Sequence, residues 1–256
     1  MLDVQNVGVS FGGLAALNDV SFRVAKNEVA SVIGPNGAGK TTLFNVITGF
    51  RKPTRGRVTF LDEPVTGMVP NAIARLGVVR TFQKTEVFPE LTLLECARMG
   101  TLCHRNFSVW QVLRGGSRMR EFELWAMARA REVLDFVGLG GKAAQLARAL
   151  SYGEQRLLEV AVCLAADPQL LLLDEPASGM NPDEAERMSR LIGKLRQKSI
   201  SVLLVEHNMA LVMDISDRII VLHHGAKIAE GTPEQIVADR RVVEAYLGAG
   251  WSNAQG

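Results

Sequence analysis

The stretch Gly34-Pro35-Asn36-Gly37-Ala38-Gly39-Lys40-Thr41-Thr42 constrains this chain more than any other. It fits the spacing G-x-x-x-x-G-K-[ST] without a gap, with Gly34, Gly39, Lys40 and Thr41 on the fixed positions. Before it runs EVASVIG (28–34), a near-continuous apolar segment that breaks at a glycine, as a buried parallel strand does. After it, Thr41 to Ile47 is a short amphipathic segment that stops at Gly49, which predicts a helix. Strand, glycine-rich loop and helix in that order make a phosphate cradle. The glycines let backbone N–H groups turn inward, and the helix presents its positive N-terminus to the same anion. Lys40 is placed to reach β and γ phosphates and the Thr41 hydroxyl to meet Mg²⁺. A chance glycine-rich turn does not bring this strand and this helix with it. No N-K-x-D box for reading guanine occurs, so ATP with Mg²⁺ is the expected ligand pair.

An apolar run ending in Asp-Glu-Pro occurs twice, in FLDEPVTG (60–67) and LLLLDEPASG (170–179). A phosphate-loop site needs one carboxylate to hold Mg²⁺ through its water shell, on a strand expected to neighbour the loop's own. Four leucines before Asp174 describe a strand buried on both faces, with the carboxylate at the sheet's C-terminal edge. Asp62 follows GRVTFL, where apolar and polar residues alternate. That reads as an edge strand of a peripheral antiparallel sheet, with Asp62-Glu63-Pro64 as its turn. Asp174 is therefore the expected metal carboxylate, and Glu175 the residue to polarise an attacking water. The earlier pair is a decoy.

The rest of the chain places these motifs in an α/β sheet. DVSFRV (19–24) has the period-2 pattern of a half-buried strand, and ISVLLVE (200–206) and RIIVLHH (218–224) are further strand candidates. The clearest helix starts at Asn181 as N-cap, with Pro182 next and Met188, Leu191, Ile192 and Leu195 on one face. Thr232 and Gln235 have capping-box spacing, and GAGWSNAQG at the end is expected to be loose. Between about 90 and 150 the pattern turns helical with a basic lean: Arg98, Arg105, Arg114, Arg118, Arg120, Arg129 and Arg131 against Glu121 and Glu123. These arginines read either as a solvated face or as contacts to membrane-proximal partner loops. A formal charge of +2 gives no reason to expect nucleic acid. No apolar run approaches the roughly 18 residues of a membrane span, and no basic-then-apolar leader opens the chain. Cys96, Cys103 and Cys163 lack C-x-x-C pairing, which fits a reducing cytoplasm and neither a disulfide framework nor a zinc site.

The phosphate loop, LSYGEQ (150–155) just upstream of LLLLDEP, and VEH on the following strand together resemble the ATP-binding cassette (ABC) family. The pattern runs from Phe11 to His207 in the family's order. VSFGGLAALNDVSF, RTFQ…VFPELT, NPDE and EHNMALVM are similar to its LivG-like branch, ATPase subunits of branched-chain amino acid importers. The resemblance implies a P-loop NTPase core (1–88 and 151–235) with a peripheral antiparallel β-subdomain, an inserted helical subdomain (89–150) and a C-terminal extension (236–256). It implies that Phe11 stacks on adenine, although a core aromatic is the plainer reading of that residue. Gln83 would sense the γ-phosphate and Mg²⁺, and His207 would contact the γ-phosphate of its own subunit. Ser151, Gly153 and Glu154 would bind the nucleotide of a partner subunit, and Ser178 to Asn181 would cross the dimer seam. One phosphate loop per chain and a signature that opens a helix make this trans arrangement reasonable: two chains placed head to tail would sandwich two ATPs. Tyr152, Glu154 and Asn181 depart from the broader family, where Gly, Gln and Asp are usual.

The implied partners are a second ABC ATPase, copy or paralogue, two integral-membrane permease subunits and, indirectly, a periplasmic or extracellular solute-binding protein. The expected place is the cytoplasmic face of the cell membrane, with Gln83 to Arg98 as the docking surface. Two alternatives stay open: the ATPase of another ABC transporter (a urea or amide importer, or a lipopolysaccharide extractor), and a soluble ABC ATPase without a membrane partner.

Overall fold

The computed structural model describes residues 1–81, 88–104 and 117–252, with side chains except at 117 and 247–252. The N-terminal strands β1 (Leu2–Phe11) and β2 (Leu14–Val24) form a hairpin closed by Gly12-Gly13, both at positive φ. Val20, Phe22 and Val24 point into the core, as their period-2 spacing requires. After β3 (Val29–Ile33), the helix α1 (Lys40–Ile47) and Gly49, the strand β4 (Arg55–Phe60) and two-residue β5 (Glu63–Pro64) complete a small antiparallel sheet. Its order is β2-β1-β4-β5. The turn of its last hairpin is Leu61-Asp62, both at positive φ, so Glu63 and Pro64 already belong to the return strand. The expected turn at Asp62-Glu63-Pro64 therefore sits one residue too late.

The second sheet takes β3, β6 (Val78–Arg80), β7 (Leu170–Asp174), β8 (Ser201–Val205), β9 (Arg218–His223) and β10 (Ala226–Gly231). Its order is β10-β9-β3-β8-β7-β6, parallel except where β10 returns along β9. Strands β3, β7 and β8 are buried along their whole length. In β7, Leu171 and Leu173 enter the core on one side of the sheet, and Leu170 and Leu172 the core on the other. A run of four leucines is what two buried faces demand; each such side chain contributes about 1.5–3 kcal/mol by burial.

On one side lie the helices α3 (Leu93–Met99), α4 (Ser117–Phe136), α5 (Tyr152–Leu164) and α6 (Pro182–Gln197); the short α2 (Pro70–Arg75) precedes β6. In α6, Met188, Leu191, Ile192 and Leu195 are the buried residues and Asn181 caps the Glu184 N–H, as the pattern predicts. The other side holds α1 and the antiparallel sheet. A third cluster joins Ile33 and β9 to α7 (Met209–Ile215), α8 (Pro233–Ala238) and α9 (Arg240–Ser252). Thr232 and Gln235 make the expected capping box of α8. The tail is not loose where expected: residues 248–252 continue α9, and 253–256 lie outside the described residues. The hydrophobic seam of Val242, Ala245 and Tyr246 docks this helix on the core, a tertiary effect that its glycines obscure in sequence.

Candidate functional site

The phosphate loop leaves the C-terminal end of β3 and enters α1 through Gly39, whose φ is 102°. A Cβ there would lie 2.6 Å from the Ala16 carbonyl, so the loop closes on β2 only with glycine. Ala38 is buried, Gly34 likewise, while Asn36, Gly37 and Thr41 are exposed along the rim. Lys40 is only 7% exposed. Its Nζ donates to the carbonyls of Gly34 at 2.7 Å and Pro35 at 3.0 Å, so the ammonium folds back over its own loop. Burial holds its pKa below the usual lysine range, with Glu175 and Asp174 pulling the other way. From the far side of the loop, Tyr246 of α9 meets the Gly34 backbone.

Asp174 ends β7 and is 1% exposed. The expectation that its strand adjoins β3 is corrected by the sheet order: β8 lies between them. That strand delivers a second set of groups to the same edge. Glu175 takes φ 50° and its N–H donates to the Val205 carbonyl at 2.8 Å, which lifts its side chain off the end of β7. His207 follows β8, and its Nε2 lies 3.1 Å from Glu175 Oε1. Asp174, Glu175, His207 and Lys40 thus converge at the C-terminal edge of the sheet, where open α/β sheets place their ligands.

Phe11 ends β1 and is 45% exposed, with the Arg51 guanidinium 4.0 Å from its ring centroid. The core-aromatic reading of Phe11 falls with that exposure. Glu63, of the other Asp-Glu pair, is exposed at the rim of the antiparallel sheet, as is Asp62.

The signature begins α5. Ser151 caps it, its side chain accepting from the Glu154 N–H while Glu154 accepts from the Ser151 N–H. Lys142 pairs with Glu154 and, by that hydrogen bond, lowers its pKa. Gly153 is buried against α6: a Cβ would lie 2.5 Å from Glu184 Oε1. Tyr152 accepts from Arg156 at 2.9 Å and packs beside Gly179 of the 178–181 loop. The start of α5 and the 178–181 loop are therefore one packed unit. Gln83 lies outside the described residues, together with Arg105 and Arg114. Of the other middle arginines, Arg98 pairs with Glu123 and Arg129 with Glu132, while Arg118, Arg120 and Arg131 are exposed. The cysteines stay apart from this chemistry: burial raises all three thiols, Cys163 to about 12.

Sequence reasoning missed two side chains. Glu206 is 3% exposed. Its Oε1 accepts from the Ala177 N–H at 2.7 Å and its Oε2 from the His207 and Asn208 N–H groups at 2.8 and 3.2 Å. It ties the turn after Glu175 to the turn bearing His207. An acid directly after the buried apolar run VLLV is the signal that could have found it. The other is Arg80, whose Nη2 lies 2.6 Å from Asp174 Oδ2.

The donor set suits Mg²⁺. A threonine hydroxyl and a buried carboxylate offer hard oxygens and no soft ligand, and no cluster of three or more His, Cys, Asp or Glu among the described residues could hold a metal alone. Mg²⁺ keeps waters and phosphate oxygens for most of its shell, so few protein ligands are needed.

Known proteins share this chain's sequence and fold. A family model described as ABC transporter matches residues 17–178, and one described as branched-chain amino acid ATP-binding cassette transporter matches residues 226–251. The high-affinity branched-chain amino acid transport ATP-binding protein BraF of Pseudomonas aeruginosa is 45% identical over 97% of this chain and 98% of that protein. LivG of Escherichia coli, named for the same transport, is 43% identical over the same shares. The crystal structure of a nucleotide-free ATP-binding cassette from an ABC transporter matches with a TM-score of 0.85 at 33% identity, over 96% of this chain and 98% of that one. By family model, by near full-length identity and by fold, the chain belongs to the ABC transporter family, as an ATP-binding subunit of the branched-chain amino acid type.

Proposed function

We propose that this chain hydrolyses ATP with Mg²⁺ to drive import of branched-chain, hydrophobic amino acids. The observation that carries the chemistry is the Glu175–His207 contact of 3.1 Å beside Asp174 and the phosphate loop. The cargo is supported by relatives named for branched-chain amino acid transport over nearly their full length.

The loop amides and Lys40 receive the β and γ phosphates, so Lys40 exchanges its two loop carbonyls for phosphate oxygens. Phe11 takes the adenine on its exposed ring. Thr41 and Asp174 would hold Mg²⁺, Asp174 through water, and the ion when bound neutralises phosphate charge and polarises the γ-phosphorus. Glu175 accepts a hydrogen bond from the attacking water and takes its proton. The water oxygen bonds to phosphorus, the bond to the β–γ bridging oxygen breaks, and ADP leaves with that electron pair. His207 Nε2 keeps the Glu175 carboxylate aimed and turns to the γ-phosphate when nucleotide fills the site. Gln83 reads the γ-phosphate and Mg²⁺ from the segment leading to α3.

Ser151 and Gly153 bind the γ-phosphate of a second ATPase subunit through the helix N-terminus. The Glu154 carboxylate is engaged by its cap and by Lys142, so the anion meets the Ser151 hydroxyl and backbone N–H groups. The dimer sits on two permease subunits at the cytoplasmic face of the membrane, and a solute-binding protein supplies cargo from outside. Among the described residues no helix is long and apolar enough to cross a membrane.

The test is a gentle-detergent pull-down of the tagged chain from its native membranes, with calorimetry on any copurifying solute-binding protein. Two permeases, a sister ATPase and a binding protein that takes leucine, isoleucine or valine are expected. A binding protein specific for urea or an amide would overturn the cargo. Recovery of the chain alone, or with ribosomes or DNA, would overturn transport and leave the ATPase standing.

A further inference from the structure

Arg80 closes the three-residue strand β6 at the sheet's edge and faces Leu172 in register with β7. Its guanidinium therefore reaches forward along β7 to the carboxylate two residues on. Nη2 lies 2.6 Å from Asp174 Oδ2, and Nη1 donates to Asn45 Oδ1 of α1 at 2.6 Å. The side chains are 6% and 1% exposed. The guanidinium also lies 5.3 Å from the centroid of the Phe44 ring. Thr81, the next residue, accepts the Asp174 N–H at 3.2 Å and donates its own N–H to the Leu172 carbonyl at 2.9 Å. One edge strand thus grips both the backbone and the side chain of Asp174.

We propose that Arg80 is the positioning residue for the metal carboxylate: it forks between Asn45 and Asp174 and fixes where the Asp174 carboxylate stands, at the place where Mg²⁺ would be held. The inference rests on the reading of Asp174 as the Mg²⁺ carboxylate. A carboxylate this buried needs a partner for its oxygens to keep its place. Lys40 cannot serve permanently, because it leaves for the phosphates when nucleotide binds. Arginine fits where lysine does not, since only a planar fork engages α1 and β7 together. The phosphate helix, through Asn45, and the metal strand are thereby locked in one register.

Two effects of removing Arg80 oppose each other, and their signs differ. As a bare positive charge beside the site, its loss would tighten Mg²⁺. As the group that keeps Asp174 in place, its loss would weaken Mg²⁺. Burial of Asp174 makes the second effect win.

The experiment titrates Mg²⁺ into the full chain loaded with a non-hydrolysable ATP analogue and reads bound nucleotide by fluorescence. For Arg80→Met the half-saturating Mg²⁺ concentration should rise about tenfold, while analogue affinity in EDTA stays within about twofold of wild type. Arg80→Lys should recover part of the loss. Unchanged or tighter Mg²⁺ dependence in folded Arg80→Met would overturn the proposal. Should Arg80→Met fail to fold, Asn45→Ala keeps the ion pair but frees the other arm; a rise of about threefold supports the fork and no rise overturns it. Asp174→Asn in the same assay separates the two claims. If it leaves the Mg²⁺ dependence unmoved, the metal reading of Asp174 itself fails; if it moves and Arg80→Met does not, only the role of Arg80 fails.

Discussion

The tripeptide Asp-Glu-Pro stands at a corner beyond an apolar run in two places, residues 62–64 and 174–176, and the two corners have little else in common. At the first, Leu61 and Asp62 take φ 50° and 68°, the chain reverses in two residues, and both acids face solvent. At the second, Asp174 ends a fully buried strand, Glu175 alone takes φ 50°, and the chain runs on into the 178–181 loop. Strand context makes the difference. A strand flanked on both sides must shed its polar groups at its end, and the edge of a parallel sheet collects such ends from several strands. A hairpin at the rim of an antiparallel sheet has no neighbours to collect. Identical residues become a converging site in one place and a solvated turn in the other.

The largest expected effect tests that contrast directly. Glu175→Gln should cut ATP turnover by about 10²–10⁴-fold with ATP binding intact, and Glu63→Gln should leave turnover within about twofold. Steady-state phosphate release with equilibrium nucleotide binding checks both, and equal damage from the two variants would erase the distinction. Next comes Glu206→Gln. Its carboxylate accepts three backbone N–H groups across two turns, and an amide must present a donor to at least one of them. A loss of about 1–3 kcal/mol in denaturant unfolding is expected, with turnover down about tenfold because Glu175 and His207 lose their common anchor. At the first corner the Thr66 hydroxyl bonds both backbone groups of Val58 far from the phosphate loop, so Thr66→Ala should lower stability but not turnover.

The local motifs were legible because their chemistry is written in consecutive residues. The loop, the four leucines, the capped helix at Asn181 and the decoy all follow from neighbours within ten positions. What stayed hidden depends on distance along the chain. Arg80 meets Asp174 across 94 residues. β6 is three residues long and exists only because β7 offers it a ladder. The insertion of β8 between β3 and β7 is a choice of topology that no local pattern encodes. Glu206 looked like the polar end of a strand, and only the fold shows that it joins two turns. The helix α9 reads as a loose glycine-bearing tail until the third apolar cluster is assembled around it.

The smallest expected effect asks whether backbone strain at the second corner is functional. A non-glycine residue in the left-handed region costs on the order of 1 kcal/mol, less for Asp than for Glu, because a short polar side chain tolerates it better. Asp62→Gly should therefore change unfolding free energy by only about 0.5 kcal/mol, since glycine's extra freedom in the unfolded chain offsets the relief. Glu175→Gly relieves more strain but meets the same offset from glycine's freedom and gives up side-chain contacts, the one with His207 among them, so stability should rise by no more than about 0.5 kcal/mol while turnover collapses. Urea unfolding of both variants decides the point. A fall in stability for Glu175→Gly would mean that the carboxylate holds the corner in shape. A rise would mean that the fold holds Glu175 in a conformation the chain would not choose, so that its side chain stands over the phosphate loop.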